Sequence, residues 1–163
     1  MPPLHPAFVH FPIALVVVSF LADLLGRIFN KASLRWTGLW SMVAALIFGA
    51  ITAATGYWDW KRLGGVLGDT NRYVDFHFDV GLVLVGAVIV LTIWRVIYSR
   101  RDRQPGVPYL IAMLLATGLV LFQGWYGGQM VYSQGAGVSA ASKGTEPADN
   151  GKKVLDKITP KGD

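Results

Sequence analysis

Four long apolar stretches govern what this chain can fold into. They cover residues 8–29, 37–57, 78–98 and 108–131, each near the roughly 20 residues that a helix needs to cross the hydrocarbon core of a bilayer. None alternates with a period of two, so helices rather than strands are expected. A helix also satisfies its own backbone groups where no water can. Only 15% of the residues are charged and 53% are hydrophobic, a balance that suits lipid better than water. The predicted fold is all-α: an integral membrane antiparallel four-helix bundle over residues 1–134, followed by a flexible C-terminal tail over 135–163. The first stretch lacks a basic leader and a small-residue cleavage site, so it is expected to remain as a span.

The charges orient the bundle. The links at 27–36 and 99–107 carry Arg27, Lys31, Arg35, Arg100, Arg101 and Arg103, and Arg95 is placed to snorkel towards them. The loop at 58–75 balances Lys61, Arg62 and Arg72 against Asp59, Asp69 and Asp75. Short-loop Lys/Arg bias marks the arginine-rich links as cytoplasmic. The expectation is an inner-membrane protein with both termini and the 58–75 loop in the periplasm. The net charge of +5 is accounted for by these arginines and a lysine-rich tail, so no nucleic-acid partner is implied. The tail is rich in Gly, Ser, Ala, Lys and Pro and reads as a solvated extension, with a docking arm and a short helix at 152–158 as the other reading. No internal repeat is evident.

The chain has no cysteine. Disulfides, thiolate metal sites, iron–sulfur clusters and a covalently attached haem are thereby excluded. Its three histidines all fall at the outer end of the expected bundle. His5 and His10 lie in "LHPAFVHFPIAL", and His77 opens the third span. Spans one and three run in the same direction, so His10 and His77 are expected at one depth, facing each other across the core, with His5 close by. Pro6 is either the first helical residue, with Pro12 kinking the span, or Pro12 starts the helix.

Small residues gather at the same depth. Ala14 is one turn below His10 and Gly81 one turn below His77. Gly49, Gly56, Gly124, Gly127 and Gly128 lie in the outer halves of the other two spans. They fit either close helix packing or room for a flat cofactor. Phe11, Tyr57, Trp58, Phe76, Phe78, Trp125 and Tyr126 could wall such a space, although interfacial aromatics need no ligand. At the other end, Asp23 is expected to pair with Arg27 one turn away, since a lone central Asp costs about 2.5–3.5 kcal/mol to insert. The segment "DTNRYVDFHFDV" fails as a calcium loop: Val74 replaces the turn glycine and Val80 the bidentate Glu. No nucleophile arrangement, phosphate loop or nucleotide fingerprint is present.

The stretches "LHPAFVHFPIALVVVSFLADLLGR", "ATGYWDW", the entrance around His77 and "GWYGGQMVYSQGAGV" resemble a family of small bacterial membrane proteins, the domain of unknown function 2231. The likeness runs from Leu4 to about Val138. It implies a four-span membrane protein, sometimes held to be cytochrome-like, and adds weight to His5, His10 and His77, but it supplies no reaction.

Three functions follow. In the first, His10 and His77 are axial ligands of a b-type haem, with His5, Ala14, Gly81 and Arg72 completing the site. The protein then passes single electrons at its outer face to membrane or periplasmic redox partners. In the second, His5, His10 and His77 hold copper or zinc. In the third, the chain is an accessory or scaffold subunit of an oligomer or larger membrane complex. An electron carrier or accessory subunit is expected rather than an independent enzyme.

Overall fold

The computed structural model describes residues 4–63, 71–101 and 103–134. The tail, its expected helix at 152–158 and the middle of the 58–75 loop lie outside the described residues. Five helices follow in order: α1 (His5–Phe8), α2 (His10–Ile28), α3 (Ala32–Leu63), α4 (Asn71–Arg100) and α5 (Val107–Gln134). Four segments are long and apolar enough to cross a membrane: His5–Ile28, Ala32–Arg62, Arg72–Arg100 and Val107–Ser133, here spans one to four.

Span one holds α1 and α2, with Pro6 in the first turn of α1. Pro12 has no N–H to offer the carbonyl of Phe8, and the helix is interrupted at Val9, which keeps helical angles. The link to α3 turns at Asn30, whose φ of 51° lies in the left-handed region that Asn tolerates. The Asn30 side-chain oxygen accepts from Gln104 Nε2 at 2.6 Å and from Arg35 Nη1 at 3.3 Å, which joins the two arginine-rich links.

Each helix packs on its neighbour in sequence, and α5 closes the ring on α2. The result is an up-down-up-down bundle with spans one and three on a diagonal, as expected. Its outside is apolar: Val18, Leu21 and Leu25 on α2, and Val90, Ile93 and Ile97 on α4, are exposed. Its axis is partly polar, with Ser19, Asp23, Thr52, Thr92, Arg95, Thr117 and Gln123 buried among Val16, Met42, Met113, Leu84 and Val88. This inside-out arrangement is what lipid as a solvent favours.

The ion pair at the arginine-rich end differs from expectation. Asp23 pairs with Arg95, not Arg27. Arg95 Nε and Nη2 each donate to the Asp23 carboxylate at 2.9 Å, and Nη2 also donates to the Arg35 carbonyl at 2.6 Å. Arg95 is 2% exposed and Asp23 fully buried, so Arg95 does not snorkel. A guanidinium fork satisfies a carboxylate at two points, which an exposed Arg27 on the same helix does not. Arg27 donates instead to the Pro105 carbonyl at 2.9 Å.

Gly38 makes room for this pair. A Cβ there would run into the Asp23 carboxylate, its Cγ only 2.6 Å away. Gly38→Ala is expected to lower stability by about 1–3 kcal/mol, the usual cost of overpacking. Gly49→Ala, which adds a methyl where nothing lies within 4 Å, is the control. Both are read from unfolding curves in detergent; equal stability of the two variants would refute the account.

The two helical hairpins match each other, although the sequence shows no repeat. His5 and Asp23 stand on span one as His77 and Arg95 stand on span three, with the same spacing. Gly38 and Gly56 on span two correspond likewise to Tyr109 and Gly127 on span four. At a nearly constant offset along the chain, buried residues match buried ones: Val16 and Val88, Leu39 and Leu110, Met42 and Met113, Ala45 and Ala116, Thr52 and Gln123. Exposed residues match too: His10 and Leu82, Ala14 and Gly86, Leu21 and Ile93, Leu25 and Ile97. The two hairpins therefore share one register of burial. The members of the ion pair, and the two histidines that meet, stand at matching positions in it.

Candidate functional site

At about 1.5 Å per residue, Gly56 stands about 27 Å along α3 from Gly38, so the histidine end lies nearly a bilayer core away from the ion pair. There the structure brings His77 together with His5. Their ring centres are 5.9 Å apart and the ring planes are 87° to each other.

His10 does not join them. It is exposed, and its Nδ1 lies 3.1 Å from the Pro6 carbonyl of its own turn. Ala14, Val18, Leu21 and Leu25 continue the same outward stripe down α2. The expectation that His10 faces His77 is therefore corrected. Five residues at about 100° each separate His5 from His10 by about 140° around the helix, so only one of them can face the core.

Both histidines are firmly seated. The His5 backbone N–H donates to Asp59 Oδ2 at 2.8 Å, so the buried Asp59 caps the start of span one from span two. His5 Nδ1 donates to the Thr52 carbonyl at 3.0 Å, which leaves Nε2 as the ring's lone-pair nitrogen. Gly56 admits this ring: a Cβ would stand 2.8 Å from His5 Nδ1. On the other hairpin, a Cβ at Gly127 would stand 3.1 Å from His77 Cε1. The Tyr126 ring stacks beside His77 with centres 6.2 Å apart, and Gln123 Nε2 donates to the His77 carbonyl. Each imidazole thus rests on a glycine of the next span.

Three polar atoms here are buried with no hydrogen-bond partner among the described residues: Thr52 Oγ1, His77 Nδ1 and Gln123 Oε1. Such atoms are costly when left dry, and a water or another polar group at this end would satisfy them.

The other expected residues are placed as follows. Gly81 lies one turn below His77, where an added Cβ would sit 3.5 Å from Gln123 Nε2. Ala14 faces outward, and Arg72 is exposed at the start of α4. Asp75 accepts from Trp60 Nε1 at 2.8 Å, and Trp60 stacks on Phe78. Of the expected aromatic wall, Tyr126 reaches the site, while Phe11, Trp58 and Trp125 are exposed on the outside. Among the described residues, no group of three His, Asp or Glu is arranged to hold a metal ion, so the His5–His10–His77 triad is not assembled. Sequence reading passed over Thr52 and Gln123. The signal for Gln123 was an amide inside an apolar span, where polar groups face the bundle interior.

The chain is similar over residues 1–140 to the family described as predicted membrane protein (DUF2231). It belongs to that family. No curated protein and no solved structure matches it. Members of DUF2231 are described only as membrane proteins, which agrees with the four spans and assigns no chemistry to the histidine pair.

Proposed function

We propose that His5 and His77 are the axial ligands of one b-type haem and that the protein passes single electrons at its histidine end, to or from a membrane or periplasmic partner. The ring separation supports this reading. Metal–imidazole bonds of about 2.0–2.1 Å on either side of one ion put the ring centres about 6.4 Å apart, so the 5.9 Å found needs to open by only about half an ångström. Haem iron takes axial ligands from opposite sides, and these two come from diagonal spans. The Thr52 carbonyl on His5 Nδ1 is the outer hydrogen bond that fixes a ligating histidine's tautomer. Bound haem would supply reversible uptake and release of one electron. The chain's own part is to hold both imidazoles in place, through Asp59, Gly56 and Gly127. Gly81 is assigned to the room beneath His77, and Arg72 to the cofactor's carboxylates.

A single copper ion bound by the same two imidazoles is the second reading. What favours it is that the imidazoles themselves occupy the space above Gly56 and Gly127. Zinc suits the pair less well, because its sites take four ligands in all. The deciding measurement is an absorption spectrum of purified protein, oxidised and dithionite-reduced, with elemental analysis. A Soret band with sharp reduced α and β bands supports haem. Stoichiometric copper without them supports the second reading. Neither chromophore nor metal overturns both and leaves an accessory subunit of a larger complex.

We also propose that the histidine end faces the periplasm of an inner membrane, on the strength of the arginine-rich links at the other end. Reporter fusions after residue 134 and within 102–106 should score on opposite sides, the first periplasmic. The reverse assignment would overturn the orientation.

A further inference from the structure

A groove of about 510 Å³ opens between α2 and α5 in the half of the bundle that carries the ion pair, far from the histidines. Phe20, Leu24 and Ile28 line one wall; Leu110, Ile111 and Leu114 line the other. The lining is apolar except at one end, where Arg27 stands. Arg27 is exposed, and its Nη1 donates to the carbonyl of the buried Pro105 at 2.9 Å, so the guanidinium stands at the groove mouth with no further hydrogen-bond partner among the described residues. Lys31 is exposed in the adjoining link.

We propose that this groove is a binding site for one anionic phospholipid, with an acyl chain between α2 and α5 and the phosphate on Arg27. Three observations converge on that occupant. The volume lies in the range of small-molecule sites, roughly 300–1,000 Å³. The walls are aliphatic and lie within two membrane spans, so lipid is the molecule that reaches them. Arg27, the one cation in the lining among the described residues, stands at the end where a span leaves the hydrocarbon, the level of lipid phosphates, and a guanidinium binds phosphate through paired N–H donors. The matched register of the hairpins offers no second copy of this site, because Ser99 stands where Arg27 would be repeated. One lipid per chain is therefore expected.

The test uses the full chain in mixed micelles with phosphatidylglycerol or phosphatidylcholine, read by native mass spectrometry. The wild type should retain one phosphatidylglycerol and lose phosphatidylcholine at the same collision energy. Arg27→Gln should weaken retention of phosphatidylglycerol about fivefold, the effect of roughly one basic residue at a membrane surface. Ile111→Trp should block the groove and abolish retention of that lipid with Arg27 intact. Lys31→Gln serves as a charge-matched control and should change little. Unfolding curves of every variant in detergent separate loss of binding from loss of fold. Equal retention of both lipids, an unchanged Arg27→Gln, a second protein chain over the groove, or an isoprenoid quinone recovered in place of phospholipid would overturn the proposal.

Discussion

His5→Ala and His77→Ala should each abolish low-spin haem binding, while His10→Ala should leave it intact. The expectation follows from the geometry: the first two rings meet edge-on with centres 5.9 Å apart, and the third is exposed. The matched register of the hairpins sharpens it, since His5 and His77 occupy corresponding positions and neither is subsidiary. A ligand held from two sides loses its low-spin character when either side is removed. Gly56→Val and Gly127→Val should act in the same direction, because each would drive a side chain into the imidazole above it. The readout is the oxidised and reduced spectrum of each purified variant, with the haem-to-protein ratio. Loss of binding in His10→Ala with retention in His5→Ala would reject the assignment. That pattern would restore the outer histidine and require span one to rotate.

Breaking the Asp23–Arg95 pair should be the most destabilising single change away from the histidines. Asp23→Asn or Arg95→Met leaves one buried charge without its partner, at a cost of about 3–5 kcal/mol. Ser19 offers no substitute, because its hydroxyl already donates to the Gly38 carbonyl at 2.8 Å. The double variant Asp23→Leu with Arg95→Met removes both charges and should recover most of the loss, since a buried pair contributes little beyond an apolar replacement of similar size. Unfolding in mixed detergent micelles measures all three. A double variant as unstable as the sum of the singles would mean that the pair carries stability beyond its mutual neutralisation.

The ion pair also bears on specificity between the hairpins. Its two members sit at matching positions, one acid and one base. Two copies of the first hairpin would bring Asp23 against Asp23, and two copies of the second Arg95 against Arg95. Unlike charges at equivalent sites thus favour the pairing of one hairpin with the other, a use of buried charge known from coiled-coil interfaces.

Much of this architecture was legible in the sequence because it depends on local quantities. Span length follows from the run of apolar residues against a fixed bilayer thickness. The division into a basic end and a histidine end follows from which links hold arginine and which spans open with histidine. Helix, rather than strand, follows from the backbone's need for internal partners in lipid. Even the histidine that meets His77 left a trace. His5 and Asp23 are about five full helical turns apart, so they share a face, and a carboxylate inside a span marks the face that points inward. His10 is out of phase with that marker.

Tertiary structure alone decided the partners. The middles of α2 and α4 are wholly apolar over 11–18 and 80–91, so apolar periodicity could not set the rotation of either helix, and only packing showed that His5 rather than His10 meets His77. The choice of Arg95 over Arg27 for Asp23 had the same cause: sequence spacing makes Arg27 a neighbour, but only a residue on the diagonal span can reach across the axis and enclose the carboxylate. The match between hairpins was likewise hidden, because it resides in burial and small-residue placement rather than in identity. Lipid asks of a span only that its outside be apolar, so the outward residues are free to differ while those at the axis stay in register.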